Sequence, residues 1–269
     1  MPCLGVIGNI SIDTTRYPDG RRHVLIGGAA LYIALAAARA GTTAHPIAVI
    51  GGDLGCLRNR PWPRLLDLSH VATLAGPSCR FDITYDPDGR VIGLTTAYGA
   101  ATALTAHVLA TLDRSDCDRW HVCCRRPLDV REVLERLVME GHPFSVDFHL
   151  ASATEQITAA KTVLPHAEVV FVNAAEYRLL DDLVAVNELA TVVISDGPGA
   201  VILLRHGRAI STEVPQGGPV AEVTGAGDTL AGSFLAKVLQ GAAEQEALMS
   251  AVTAATHQAR DPGLPYEPP

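Results

Sequence analysis

The stretch "EVTGAGDTLAGSFLAKVLQG", residues 222–241, opens a long apolar-periodic helix on Gly225-Ala226-Gly227-Asp228. Glycine is about 1 kcal/mol less favourable than alanine inside a helix, so glycines at this start need another reason. The first N–H groups of a helix have no intrahelical partner, and the macrodipole adds partial positive charge there. Glycines let that backbone approach a ligand closely, which makes an anion site of the kind phosphates occupy. A carboxylate at Asp228 would repel a phosphate. It has a purpose if it faces a hydroxyl that attacks the phosphate. Asp228 then accepts the proton, while the backbone of Gly225, Ala226, Gly227 and Asp228 holds the developing charge. A plain glycine turn, with an acid in the first helical turn where acids are favoured, explains the same four residues.

Outward from this helix, short apolar runs alternate with helical patterns. Strands are expected at 3–8, 44–51, 119–124, 143–148, 167–173 and 190–197. Helices are expected at 29–41, near 104–113, 128–140, 152–163 and 174–182, and at 243–259. Continuous Val/Ile runs separated by helices predict a mostly parallel sheet covered on both faces. Residues 79–96 and 14–28 differ, because each alternates around a Pro-Asp-Gly turn and reads as a hairpin with one wet face. The two excursions together would form a small β lid. Residues 197–215 read as a late antiparallel pair, and the proline-rich tail as irregular.

The composition narrows the function classes. The 269 residues are 48% hydrophobic and 19% charged, with a net charge of -8. This suits a globular chain with a sizeable core, and it argues against a nucleic-acid or anionic-membrane surface. No apolar run is long enough to span a bilayer, and the opening "MPCLGVIGNISID" reads as a first strand, not a signal peptide. Six cysteines without C-x-x-C spacing read as reduced, mostly buried thiols of a cytoplasmic protein, with Cys123 and Cys124 on opposite faces of one strand. His121, His149 and His257 show no metal-ligand spacing. The pairs Arg21-Arg22 and Arg125-Arg126 read as solvated side chains.

"VTGAGDTLAGSFL" closely resembles the signature of the ribokinase family, the PfkB-type sugar and nucleoside kinases. Further stretches follow in the family's order over nearly the whole chain: "GNISID" (8–13), "IGGAALYIALAAARAG" (26–41), "VIGGDLG" (49–55), "NAAE" (173–176) and "VISDGPGA" (193–200). The resemblance implies one ribokinase-like α/β/α domain over residues 1–269, with lid strands from about 14–26 and 79–96. It implies an ATP-dependent kinase acting on an alcohol of a small polyhydroxylated molecule, with Asp228 as base and magnesium as cofactor. A monovalent cation is a further candidate.

The carried-over roles each have a plainer reading. Ser11 and Asp13 would bind acceptor hydroxyls at the end of the first strand, or Asp13 simply caps a turn. Gly27 and Gly28 would offer N–H groups to the acceptor, or form a turn. Asn173 and Glu176, three apart, would hold water of a magnesium shell, or form a helix cap with an N3 glutamate. Thr224, Ser195, Gly197 and Gly199 would line the nucleotide's phosphates and ribose. Val252 and Ala255 would wall the adenine, or pack in the core.

Two departures bear on the acceptor. Sugar-specific branches usually carry an asparagine where this chain has Tyr32, so a cyclitol such as myo-inositol, or a nucleoside, fits better than ribose or fructose. Some inositol-kinase-like members resemble this variant. Glu222 stands where the family has aspartate, and the segment 52–75 is short. A non-catalytic sugar- or nucleotide-binding protein on the same fold is the alternative, disfavoured because a sensor needs no base at Asp228. The chain lacks G-x-G-x-x-G after its first strand and lacks a Walker-A string, which disfavours dinucleotide and P-loop chemistry. Exposed lid strands could pair two copies into a homodimer.

Overall fold

A computed structural model describes residues 2–86, 91–115, 117–218, 224–261 and 263–266. Its main sheet has nine strands: β1 (Cys3–Ile7), β4 (Thr43–Gly51), β5 (Val71–Leu74), β8 (Arg119–Cys124), β9 (Phe144–Phe148), β10 (Val169–Asn173), β11 (Thr191–Ser195), β12 (Val201–Arg205) and β13 (Arg208–Glu213). Their order is β13-β12-β11-β10-β9-β8-β1-β4-β5. From β11 to β5 all neighbours are parallel, and β12 and β13 add the expected antiparallel pair.

The apolar runs become strands because both faces of the sheet are covered. In β10, Val169 and Phe171 join one core and Val170 and Val172 the other. The first core is roofed by α1 (Ala29–Arg39), α6 (Ala226–Leu239) and α7 (Glu244–Gln258). The second is roofed by α2 (Leu104–Leu112), α3 (Val130–Met139), α4 (Ala153–Ala160) and α5 (Ala174–Leu183). This is the three-layer α/β/α architecture expected from the alternation. Cys123 and Cys124 fall on opposite faces, as their adjacency in a strand requires. Helix α3 shows the local logic. Val130, Val133, Leu134 and Leu137 are buried at helical spacing, and Asp129 caps the start by accepting from the Glu132 N–H at 3.1 Å.

Helices α1 and α6 pack with no side chain between them at one point. A Cβ on Gly232 would stand 2.2 Å from the Ile33 carbonyl oxygen, so only glycine permits this approach.

A second sheet has the order β3-β2-β6-β7, built from β2 (Ser11–Arg16), β3 (Arg22–Gly27), β6 (Cys79–Tyr85) and β7 (Val91–Ala97). The two expected hairpins are fused by a parallel pairing of β2 with β6, from Ser11 opposite Cys79 to Arg16 opposite Thr84. Backbone bonds from Ile26 to Leu264 and from Tyr266 to Val24 cover the β3 edge. The turn Pro18-Asp19-Gly20 is seen, with Gly20 at φ 85°. The second Pro-Asp-Gly, at 87–89, lies outside the described residues.

Two sequence expectations change. Ser11 and Asp13 do not end the first strand: β1 stops at Ile7, and both residues lie on β2 of the second sheet. The edge strand β5 was not anticipated, because it is four residues long and half exposed, which leaves little pattern to read.

Candidate active site

The C-terminal ends of parallel strands, where open α/β sheets bind ligands, meet the inner face of the second sheet around a cleft of about 690 Å³. Asn9 follows β1, Arg125 follows β8, and Asp147, Asn173 and Ser195 sit at the ends of β9, β10 and β11. The first turn of α6 and the start of α1 complete the floor.

The α6 start has the conformation its glycines foreshadow. Gly225 is left-handed, at φ 79° and ψ 0°, and the first helical bond runs from the Thr229 N–H to its carbonyl at 2.8 Å. A Cβ at Gly225 would stand 2.5 Å from Tyr32 Cδ1. Gly227 is exposed, with nothing within 4 Å of where its Cβ would be. The next N–H groups of the turn are those a helix leaves without intrahelical partners.

Asp228 shares this floor with Arg125, Asp147 and Glu176. Arg125 pairs with Asp147, whose other oxygen lies 3.3 Å from His121 Nε2; His121 Nδ1 in turn meets Ser145 Oγ at 2.8 Å. Burial works against the Arg125 charge, but Asp147 outweighs it and holds the guanidinium protonated. Burial would raise Asp147 too; Arg125 and His121 more than offset that and keep it below the usual carboxylate range. Among the described residues Asp228 has no such direct partner. Burial, with Asp147 adding repulsion against the pull of Arg125, raises its pKa to about 6. Burial likewise raises Glu176 to about 7, opposed by a hydrogen bond from the Asn173 N–H. An aspartate with a raised pKa at a cleft floor, still ionised near neutrality, has the properties of a general base.

Asn173 and Glu176 form a capping box. Asn173 Oδ1 accepts from the N–H groups of Ala175 and Glu176 at 3.0 and 2.9 Å, and Glu176 Oε2 accepts from the Asn173 N–H at 2.9 Å. The plainer reading of the N-x-x-E spacing is therefore realised, and both residues also face the cleft. Asp147, Glu176 and Asp228 set three carboxylates around Arg125, while Arg126, also on the cleft wall, is paired with Glu155. That surplus of negative charge fits a divalent cation.

At the other end, Ser11 Oγ donates to Asp13 Oδ1 at 2.7 Å. A Cβ on Gly27 would stand 1.8 Å from Asp13 Oδ2, so Gly27 makes room for this carboxylate. Gly28, at φ 100°, would drive a Cβ to 2.2 Å from the Asn9 carbonyl. Asn9 is 2% exposed, and its Nδ2 donates to the Arg126 carbonyl at 2.9 Å. Its Oδ1 is buried with no hydrogen-bond partner.

The cleft thus brings together Ser11, Asp13, Gly28, Tyr32, Asn173, Glu176, Ser195, Thr224, Gly225, Gly227 and Asp228. Gly27, Ala226, Gly197, Gly199, Val252 and Ala255 stand outside its walls. Gly197 and Gly199 form the turn after β11, where the Gly199 N–H meets the Asp196 carbonyl at 2.7 Å. Val252 is a core residue of α7 and Ala255 packs beside that core. Tyr32 is 1% exposed, and its ring supports Gly225 more than it presents a face to a ligand. Glu222 and Val223 lie outside the described residues. The paired-arginine expectation fails for Arg125, which is partly buried in the cleft against Asp147; Arg126 also lines the cleft but is exposed and paired with Glu155. Asn9, Arg125 and Asp147 are the site residues the sequence reading missed.

The model of the pfkB family of carbohydrate kinases matches residues 3–266. The chain belongs to this family. The cytidine kinase of Thermococcus kodakarensis is 28% identical over 251 residues, covering 88% of this chain and 89% of that protein. Among solved structures, the Burkholderia thailandensis nucleoside kinase in complex with inosine superposes with a TM-score of 0.78 at 20% identity, covering 97% of this chain and 92% of that one. The Thermotoga maritima ribokinase gives 0.76 at 16% identity, covering 98% and 95%. The fold is that of ribokinase, and this pfkB member is an ATP-dependent kinase of the sugar and nucleoside class. Among the described residues no helix is long and apolar enough to cross a membrane.

Proposed function

We propose that this kinase phosphorylates a ribose hydroxyl of a nucleoside. One observation carries the reading: the second sheet roofs the cleft with hydrogen-bonding and apolar groups side by side. Ser11 and Asp13 on β2 lie next to Phe81, Ile83, Tyr85 and Leu94 on β6 and β7 and Tyr98 just past β7, while Asn9 and Asp228 come from the main sheet's side of the cleft. Tyr85 also stacks on Tyr17, with ring centroids 5.2 Å apart, which stiffens that roof. A free sugar or a cyclitol has only a small C–H face to set against five apolar or aromatic side chains. A nucleoside has a polyol at one end and a flat ring at the other. The similarity to a cytidine kinase and to an inosine-bound nucleoside kinase points the same way.

In this reading Ser11, Asp13 and Asn9 orient the ribose, and Gly28 lets its backbone approach. Asp228 takes the proton of the attacking hydroxyl. The N–H groups of Gly225, Ala226, Gly227 and Asp228 stabilise the charge on the transferred group. Thr224, Ser195, Gly197 and Gly199 line the phosphates and ribose of ATP, with Val252 and Ala255 toward its adenine. Asn173 and Glu176 hold magnesium through water. When bound, that ion neutralises phosphate charge. The whole chain works as one ribokinase-like domain in the cytoplasm, the second sheet closing over the acceptor to exclude water. The β7 edge is where two copies would pair. The test is ADP release with ATP and magnesium over cytidine, uridine, adenosine, inosine, ribose, fructose and myo-inositol. Nucleosides are expected to lead; a higher kcat/KM for ribose, fructose or myo-inositol overturns the assignment.

A further inference from the structure

At the N-terminal edge of the sheet, opposite the cleft, three segments distant in sequence bring soft ligands together. Cys3 opens β1, Cys117 lies two residues before β8, and His45 lies on β4. The two sulfurs are 3.0 Å apart. Both sulfurs and a ring nitrogen of His45 lie within 4.8 Å of one another. Among the described residues His45 Nδ1 is buried without a hydrogen-bond partner, 3.5 Å from Asp67 Oδ2.

We propose that Cys3, Cys117 and His45 bind a zinc ion, with Asp67 as the carboxylate at hand for the fourth position. The chemistry of the donors selects this metal: thiolate with imidazole, in a set of four, suits zinc and not magnesium or calcium. The dimensions agree. Bonds of about 2.3 Å to sulfur and about 2.1 Å to nitrogen or oxygen give a tetrahedron with edges of about 3.8 Å between sulfurs and about 3.4 Å from nitrogen to oxygen. Asp67 Oδ2, 3.5 Å from His45 Nδ1, lies outside the group formed by the two sulfurs and the imidazole, so it reaches the fourth position only by moving in; otherwise it orients the ring from behind. The sulfurs need only part from 3.0 Å by less than an ångström, within reach of small side-chain rotations.

The surroundings are built for it. Gly5 is register-paired with His45; a Cβ there would stand 2.6 Å from the Trp120 ring and 3.3 Å from Cys117 Sγ, so glycine makes room first for the indole and then for the thiol. Ser115 Oγ donates to Cys117 Sγ at 3.3 Å, and the Asp118 carboxylate accepts from the Cys3 N–H at 2.7 Å. Such outer contacts orient ligands in metal sites. Cys3 and His45 are partly exposed, which gives the ion a way in. Binding exchanges the two thiol protons for the cation, so each zinc taken up releases two protons to solvent. The second cluster of this kind, His121, Cys123 and Asp147, is different: Arg125 already occupies its carboxylate.

The full-length reduced protein, stripped of metal, is titrated with cobalt and then zinc. One equivalent of cobalt is expected to give thiolate charge-transfer absorption and tetrahedral ligand-field bands, both abolished by one equivalent of zinc. Cys3→Ser and Cys117→Ser should each lose the charge-transfer intensity and the tight equivalent, and Cys56→Ser should keep both. Absence of these bands in the wild-type protein overturns the site without relying on any variant. So does retention of the tight equivalent by a folded Cys3→Ser/Cys117→Ser double variant, or detection of a Cys3–Cys117 disulfide with no metal bound by the reduced protein.

Discussion

Replacing Asp228 by asparagine separates chemistry from architecture, because the two effects should have opposite signs. The amide has nearly the shape of the carboxylate but cannot take a proton. With a pKa of about 6, about nine in ten Asp228 side chains are ionised at pH 7, so nearly all of the wild-type enzyme carries the base. Losing it should lower kcat by roughly 10²–10⁴, about 3–5 kcal/mol of barrier. Stability should move the other way. A carboxyl whose pKa is raised from 3.8 to about 6 by folding costs stability progressively as pH rises between those two values and in full above the folded one, because its charged form is better solvated in the unfolded chain. Two units correspond to about 3 kcal/mol. Solvent reaching the open side of the cleft discounts this to about 1–2 kcal/mol, and the neutral amide escapes it. For a chain of this size that is a Tm gain of about 2–4 °C at pH 8, shrinking below pH 6. The assays are steady-state kinetics with a nucleoside acceptor and calorimetry at both pH values. A variant within tenfold of wild-type turnover, or one that loses both activity and Tm, refutes the assignment of Asp228 as a base held at a local cost.

Other perturbations follow from the same geometry. In the wild type, kcat/KM should fall tenfold per pH unit below about pH 6, as the base is protonated; a flat acid limb down to pH 5 would contradict this. Arg125→Gln removes the charge that lowers the Asp228 pKa, so the acid limb should move to higher pH. It also strands Asp147 and should cost about 3–5 kcal/mol, read by urea unfolding. Gly225→Ala combines a left-handed φ with a 2.5 Å clash against the Tyr32 ring, and should lower both Tm and kcat. Tyr85→Ala should raise KM for a nucleoside at least tenfold more than KM for free ribose, read from paired saturation curves.

The layered core was legible because its strands are buried on both faces. In residues 169–173 every second apolar side chain serves a different core, which leaves an unbroken run no amphipathic helix would need. The Gly225–Asp228 turn was legible for a related reason: left-handed backbone and a crowding ring leave glycine little competition. The site's electrostatics were not. Arg125 beside Arg126 looks like a solvated pair, and only the register of β8 with β9, Cys123 opposite Asp147, brings Arg125, two residues past Cys123, to a buried carboxylate. Asn9 was within the quoted stretch "GNISID", yet its burial depends on the chain's turn from β1 into β2, which no local pattern marks. The parallel joining of β2 and β6 is a long-range pairing between segments about 70 residues apart, so two hairpins could be read while their union could not. Asn173 and Glu176 carried both readings at once, because a capping box and a cleft wall need the same spacing at a strand-to-helix junction.

The central claim is that a nucleoside lies in this cleft with its ribose between Asp13 and Asp228 and its base against the apolar side chains of β6 and β7. A crystal structure of the complex with the best nucleoside tests it most directly. The account predicts a ribose hydroxyl about 2.6–3.2 Å from an Asp228 carboxylate oxygen, with the base against Phe81 and Tyr85. A nucleoside bound with its base at the α6 turn, or with every hydroxyl beyond reach of Asp228, would contradict it.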